Sequence, residues 1–349
     1  MQLKGRIKAF IKLGVCLRDL LNPQHIKHNG NLEKLYKLCI NEIHYNGWFT
    51  KENVVHSIKA VTLLLEEDRL NNWFSAYPLN KAKPKRIGVI MAGNIPLVGF
   101  HDFLCILITG NIMVGKLSSK DKHLLPILSE ILIDIEPAFM GMIEFTDGNL
   151  KKIDAIIGTS SDNTSRYLEY YYGKYPNLFR KNRNAVAILN GNETKRDIEM
   201  LGKDIFTYYG LGCRNVSKLM VPSNYNMDLF FGGIFKYQGV LEHNKYANNY
   251  DYYKAIYAMN KVKIIENGFL LLIEDSSLSS PVAVLHFEHY NGKSDLEKKI
   301  NKQTDQIQCI VSQGEIKNIP TISMGMSQYP QLDDYADNVD TISFLISLM

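Results

Sequence analysis

In the stretch YYGLGCRNVSKLMVP, residues 208–222, Cys213 stands between a Gly-Leu-Gly turn and an apolar run with the texture of a strand. A thiol raised on a turn can ionise and attack an electrophilic carbonyl, whereas a lone cysteine more often serves as a small buried hydrophobe. Cys16, Cys39, Cys105 and Cys309 read in that second way. The five form an odd set with no CxxC pair and no His/Cys spacing suited to zinc, so neither a disulfide framework nor a metal site is expected, and the compartment should be reducing.

Two other stretches imitate phosphate cradles. GNIMVGKL, residues 110–117, fits G-x-x-x-x-G-K, but Leu117 replaces the Ser or Thr that holds magnesium, and Ile112, Met113 and Val114 are strand formers. GLGCRN, residues 210–215, begins like a dinucleotide fingerprint, yet its sixth position is Asn215 and it precedes a strand instead of opening a helix. A nucleotide cofactor must be held some other way.

The whole chain limits the choices further. Its 349 residues, 46% apolar and 22% charged, suit a globular protein of two domains. A net charge of +4 with scattered lysines gives no nucleic-acid footprint. In the N-terminal MQLKGRIKAFIKLGVCLRDLL, Phe10, Leu13, Leu17 and Leu20 recur at helical spacing, which predicts an amphipathic helix packed on the protein rather than a leader or membrane anchor. No apolar run approaches the roughly 18 residues a spanning helix needs, and a cytoplasmic location is expected.

The elements that must position the chemistry follow from periodicity. Residues 1–80 show apolar positions three and four apart and read as helical, and PLNKAKPKR punctuates. From Ile87 onward, IGVIMAG, NIMVGKL, KIDAIIGT, NAVAIL and VSKLMVP are apolar runs separated by helix-like segments, the pattern of a parallel sheet covered on both faces. FLLLIED, PVAVLHFEHY and IQCIVSQ follow, and the terminal TISFLISLM reads as a strand. In IGVIMAGNIPLVGFHDF, Asn94 sits at the turn after a strand and Pro96 suits the first turn of the next helix, which Asn94 would cap.

Residues 87–121 resemble the aldehyde dehydrogenase superfamily, whose members carry a P-W-N-F-P-L turn, a helix, then G-N-x-x-x-x-K at matching spacing. By this resemblance Asn94 is the side-chain donor to the oxyanion and Lys116 the lysine at the adenosine ribose. DAIIGTSS looks like the family's strand and turn over the cofactor, which brings in Gly158 and Thr159. YYGLGCRNVSKLMVP looks like the segment of the nucleophilic cysteine, and SSPVAVLHFEHY like the F-G-P-V segment near the nicotinamide ribose, with Ser277 where the family carries glutamate. The wording of GNIPLVGFHDF, KLSSKD, GLGCRNVSKL and YADNVDT is similar to the acyl-CoA reductases typified by the fatty-acid reductase of luminescence operons, over about residues 85–349.

The resemblance implies an α/β fold of the aldehyde dehydrogenase type: a helical segment (1–80) packed on the cofactor domain, a Rossmann-type NAD(P)-binding domain (81–188), a catalytic domain with Cys213 at the domain cleft (189–330), and a return segment with a strand (331–349) through which related enzymes commonly form homo-oligomers. It implies reduction of an acyl-CoA, or an acyl-carrier thioester, to the aldehyde. The Cys213 thiolate would displace the thiol, Asn94 and the Cys213 N–H would hold the oxyanion, and hydride would release the aldehyde. Lys116, Ser118 and Ser119 offer a cation and hydroxyls with no carboxylate before Asp121, which favours NADPH, with NADH the alternative. The aldehyde-oxidising members activate water with a glutamate upstream of the cysteine, whereas here no Asp or Glu occurs from Tyr170 through Asn192.

Other residues admit two readings. Lys174, Arg180, Lys181 and Arg183 would meet CoA phosphates or form a solvated basic face, and His101 would serve as acid or base or, more ordinarily, pack and hydrogen-bond. The tyrosines of YLEYYYGKYP would line a pocket or pack. The competing functions are a cysteine-dependent acyl-thioester transferase or hydrolase, and a non-catalytic binding subunit of the same fold; cofactor binding separates them.

Overall fold

The computed structural model describes residues 1–20, 30–78, 83–159 and 162–348. It divides into two compact units, one made of Met1–Asn182 with Pro330–Met349 and the other of Arg183–Tyr329.

The first unit opens with four helices, α1 (Leu3–Leu20), α2 (Gly30–Asn41), α3 (Lys51–Leu64) and α4 (Glu67–Ser75). Phe10, Leu13, Leu17 and Leu20 of α1 all point inward, as their spacing predicts. There follow β1 (Arg86–Ile90), α5 (Phe100–Thr109), β2 (Ile112–Lys116), α6 (Leu124–Ile135), β3 (Ile143–Thr146), β4 (Ala155–Thr159), α7 (Asp162–Tyr172) and β5 (Asn177–Arg180). The strands form one parallel sheet in the order β3-β2-β1-β4-β5. Successive side chains of a strand point to opposite faces, so Met113 and Ile157 enter a core with Phe10, Phe103 and Leu128. Val114 and Ile156 enter a second core with Leu150, Ile153 and Leu168. Both faces are covered, which is why the strands read as apolar throughout.

Three expectations change in this unit. TISFLISLM contains a helix, Thr341–Ser347, and not a strand: Asp340 caps it by accepting the Ser343 N–H (2.9 Å), and Ile342 and Leu345 bury one turn apart. The segment therefore offers no terminal strand for assembly. Pro96 does not begin a helix. Leu97 takes a left-handed conformation (φ 58°), and α5 starts at Phe100 with Gly99 as its N-cap, so Asn94 does not cap it. Arg180 is no part of a solvated basic face: its guanidinium is buried and makes two 2.6 Å hydrogen bonds to Asp102, with a third to the Thr341 hydroxyl (3.0 Å).

The second unit runs through β6 (Asn184–Ile188), α8 (Lys195–Phe206), β7 (Val216–Pro222), α9 (Met227–Ile234), α10 (Asn244–Met259), β8 (Ile264–Glu266), β9 (Leu271–Glu274), β10 (Val284–Tyr290), α11 (Gly292–Lys302), β11 (Ile307–Ser312) and β12 (Ile322–Ser323). Its sheet has the order β12-β11-β6-β7-β10-β9-β8, parallel except for the β8–β9 pair. The segment NAVAIL, expected in the cofactor domain, supplies β6 of this sheet, because its ladder runs to β7 and β11.

Each sheet holds one pair of neighbouring strands whose outgoing connections diverge, each leading away from the other strand. In the first, β1 leads to β2 on one side while β4 leads to β5 on the other; in the second, β6 leads to β7 while β11 leads to β12. The crevice outside the carboxyl ends of such a pair is where open α/β sheets bind ligands.

Candidate active site

The first unit gathers the expected cofactor residues at the carboxyl ends of β1, β2 and β4. Lys116 ends β2, in register with Ile90 of β1 and Thr146 of β3. Gly158 and Thr159 end β4, with Gly158 opposite Ile90. These positions flank the switch between β1 and β4. Lys116, Ser118 and Thr159 are half-buried, and Ser119 is exposed. Ser160 and Ser161 of the DAIIGTSS motif lie outside the described residues, as do 79–82 of the preceding linker.

The turns above these strand ends are fixed by close contacts. A Cβ on Gly93 would lie 2.5 Å from the Ser118 Oγ, so the β1 and β2 turns touch where a larger residue would separate them. Ser118 and Asp121 form a short antiparallel bridge, and the Asp121 carboxylate accepts the Leu97 N–H (2.9 Å) while the Pro96 carbonyl accepts the Ser57 hydroxyl (2.7 Å). Asn94 stands exposed on the turn so held. Burial pushes the Asp121 carboxyl up to about 7 despite the Leu97 N–H, which favours its charged form, and its Oδ1 is buried without a hydrogen-bond partner.

His101 packs among Trp73 and Tyr335, and its Nε2 lies 2.9 Å from the Leu332 carbonyl, so it is a structural histidine of the first unit. Of the tyrosine run, Tyr170 and Tyr171 are exposed while Tyr172 is buried, its hydroxyl accepting the Leu150 N–H (3.3 Å).

The second unit holds Cys213 on the turn between α8 and β7. The chain leaves α8 through three successive left-handed residues, Tyr208 (φ 56°), Tyr209 (φ 56°) and Gly210 (φ 80°). Each left-handed non-glycine costs about 1–2 kcal/mol, so something must hold them. Asn215 does much of this. Its buried amide donates to the carbonyls of Asp204 (3.0 Å), Ile205 (3.4 Å) and Thr207 (2.7 Å), and its oxygen accepts the Gly212 N–H (2.8 Å). Asp204, fully buried, accepts the N–H groups of Gly325 (2.5 Å) and Ser327 (2.9 Å), and Arg214 donates to the Ser327 carbonyl (2.6 Å). The turn is tied at both flanks while Cys213 itself is exposed.

The other four cysteines, all described, are buried or half-buried. Burial pushes the Cys39 thiol up to about 12 and raises those of Cys105 and Cys16, which makes them poor nucleophiles. The F-G-P-V-like segment reaches the same turn: Ser280–Val284 and Tyr209–Gly210 enclose a cavity of about 20 Å³. Ser277, at the family's glutamate position, gives its N–H to Asp275 (2.7 Å) and its carbonyl to His286 (3.1 Å).

Asn215, Asp204 and Asp121 escaped the sequence reading. Asn215 and Asp121 end the quoted GLGCRN and KLSSKD stretches, but nothing in spacing marks them as the residues that pin the turns.

No protein-family model and no curated protein matches the chain. Solved structures do. Aldehyde dehydrogenase 21 from Physcomitrella patens, in complex with the reaction product succinate, is 14% identical with a TM-score of 0.68, over 100% of this chain and 85% of its own. The Mycobacterium tuberculosis aldehyde dehydrogenase complexed with NAD+ is 12% identical with a TM-score of 0.61, over 90% and 77%. The aldehyde dehydrogenase KauB from Pseudomonas aeruginosa is 12% identical with a TM-score of 0.64, over 89% and 72%. The chain thus has the α/β fold of the aldehyde dehydrogenases; the strand pairing is parallel, as the apolar runs predict, except at β8–β9, but the runs divide between two sheets where one was expected.

Proposed function

We propose that this protein reduces an acyl thioester, such as an acyl-CoA, to the aldehyde with NADPH. The observation that carries the reading is the turn before β7, where Cys213 alone among the five cysteines is exposed, on a backbone that Asn215 and Asp204 hold rigid. The Cys213 thiolate attacks the thioester carbonyl, and collapse of the adduct expels the substrate's thiolate, leaving the acyl group on Cys213. The Asn94 side chain and the Cys213 N–H would donate to the oxygen that gathers negative charge, and losing one such donor costs about 100-fold to 1,000-fold in rate.

The first unit's strand ends fit a dinucleotide. They lie at a switch point, Gly93 lets the two turns meet, and Lys116 with Ser118 and Ser119 supplies a cation and two hydroxyls for the cofactor's ribose or its 2′-phosphate. Gly158 and Thr159 would lie beneath it at the end of β4. When bound, a reduced nicotinamide supplies the hydride that converts the acyl-enzyme to aldehyde. The lack of any Asp or Glu from Tyr170 through Asn192 supports reduction over oxidation, and Glu193, the first acid after that gap, is occupied by the N–H groups of Asn190 and Gly191.

The test is incubation with NADPH and a panel of acyl-CoAs, following nicotinamide absorbance and aldehyde, beside a Cys213→Ala variant. Aldehyde should form at the expense of NADPH and disappear in the variant. Consumption of acyl-CoA without NADPH oxidation would replace this reading with thioester transfer or hydrolysis.

A further inference from the structure

The second sheet has a switch point of its own, and the proposed reaction does not use it. Cys213 precedes β7 and so lies at the amino end of that strand, whereas the β6–β11 switch opens at the opposite, carboxyl edge of the same parallel sheet. A cavity of about 550 Å³ sits there. Its walls come from the ends of β6 and β10 (Ile188, Tyr290), the first turns of α11 (Lys293, Leu296) and the loop after β11 (Glu315, Ile316). That volume is in the range of roughly 300–1,000 Å³ that holds small organic molecules.

The chemistry of the lining is divided. Ile188, Leu296, Ile316 and the Tyr290 ring make an apolar wall, and the Tyr290 hydroxyl is already committed to the Leu189 carbonyl (2.8 Å). Lys293 supplies the cation; it is half exposed and forms a long ion pair with Glu297 one turn on (3.9 Å), too far for a hydrogen bond and weak enough for a guest carboxylate to replace. The Asn291 side chain accepts the Ser223 hydroxyl (2.5 Å) and does not cap α11, while Asp295 in the first turn accepts the Asn291 N–H (2.9 Å). Glu315 is the acidic member of the lining and opposes a doubly charged guest.

We propose that this cavity is a binding site for a singly charged organic anion with an apolar body, a medium-chain carboxylate, with its head at Lys293 and its chain against Ile188, Leu296 and Ile316. The site is separate from Cys213 and does not depend on the reaction proposed above. Octanoate is the probe, titrated calorimetrically into the whole protein after Cys213 has been alkylated, with octan-1-ol as the uncharged control. Octanoate should saturate one site and octanol should bind more weakly. Lys293→Glu should weaken octanoate at least about tenfold, the loss of one charge-assisted contact. Ile316→Trp, which fills the apolar end, should weaken it as well, with both variants keeping the parent's melting temperature. Absence of saturable binding, equal binding of octanoate and octanol, or indifference to both substitutions would overturn the proposal.

Discussion

Asp121 shows how a single side chain ties the local fold to pH. It holds the Leu97 N–H while buried, and desolvation, with Glu42 adding to it, raises its carboxyl from 3.8 to about 7. A carboxyl raised in the folded state binds its proton more tightly there than in the unfolded chain. Its stabilising contribution is therefore complete below about pH 4 and is lost as pH rises through 7. Asp121→Asn can still accept the Leu97 N–H and carries no charge at any pH. Denaturant unfolding should show the variant losing less stability than the parent between pH 4 and 7 and exceeding it above pH 7. Glu42, also raised by burial and paired with His123 at 2.9 Å, will leave part of the slope in both proteins. Parallel pH profiles would remove Asp121 as the cause.

At the scale of elements, the turn between α8 and β7 depends on Asn215 more than on any residue the motifs single out. Asn215→Ala leaves the Thr207 and Asp204 carbonyls and the Gly212 N–H without their partner, at about 1–3 kcal/mol for a buried unsatisfied group. Asn215→Asp keeps the acceptor for Gly212 and loses the donor. Both should lower stability in urea by roughly that amount, with Asn215→Asp the milder because it keeps the Gly212 contact; unchanged unfolding midpoints would show that the turn does not depend on Asn215. The contrast with Cys213 explains what the sequence made legible. Residue type and order marked Cys213, Asn94 and Lys116, and apolar runs marked the principal strands, because burial on both faces leaves a continuous pattern. The partners of Asn215 and Asp121 are backbone groups, whose positions depend on left-handed residues that spacing does not announce. The same limit misplaced two elements. The apolar residues of TISFLISLM suit either period until Asp340 is seen capping Ser343, and Pro96 suits a helix start until Leu97 turns the other way.

At the scale of the molecule, the first unit is closed by residues from both ends of the sequence. The Arg180–Asp102 pair is buried and joined by Thr341, Trp73 gives its indole N–H to the Tyr335 hydroxyl (3.0 Å), and His101 meets the Leu332 carbonyl. Asp102→Asn strands the Arg180 charge and should cost about 3–5 kcal/mol, the usual result of breaking a buried pair from one side. Urea unfolding that shifts by less than about 1 kcal/mol, the scale of an exposed pair, would show that water reaches Arg180. The second unit, Arg183–Tyr329, is thus spliced into the chain of the first. During synthesis at the ribosome, the guest's whole sequence emerges while its host still lacks Leu332, Tyr335 and Thr341. The host's apolar seats for Ile342 and Leu345 stay open until residues 341–345 have emerged, so the unit begun first can finish folding only after the guest's whole sequence is out.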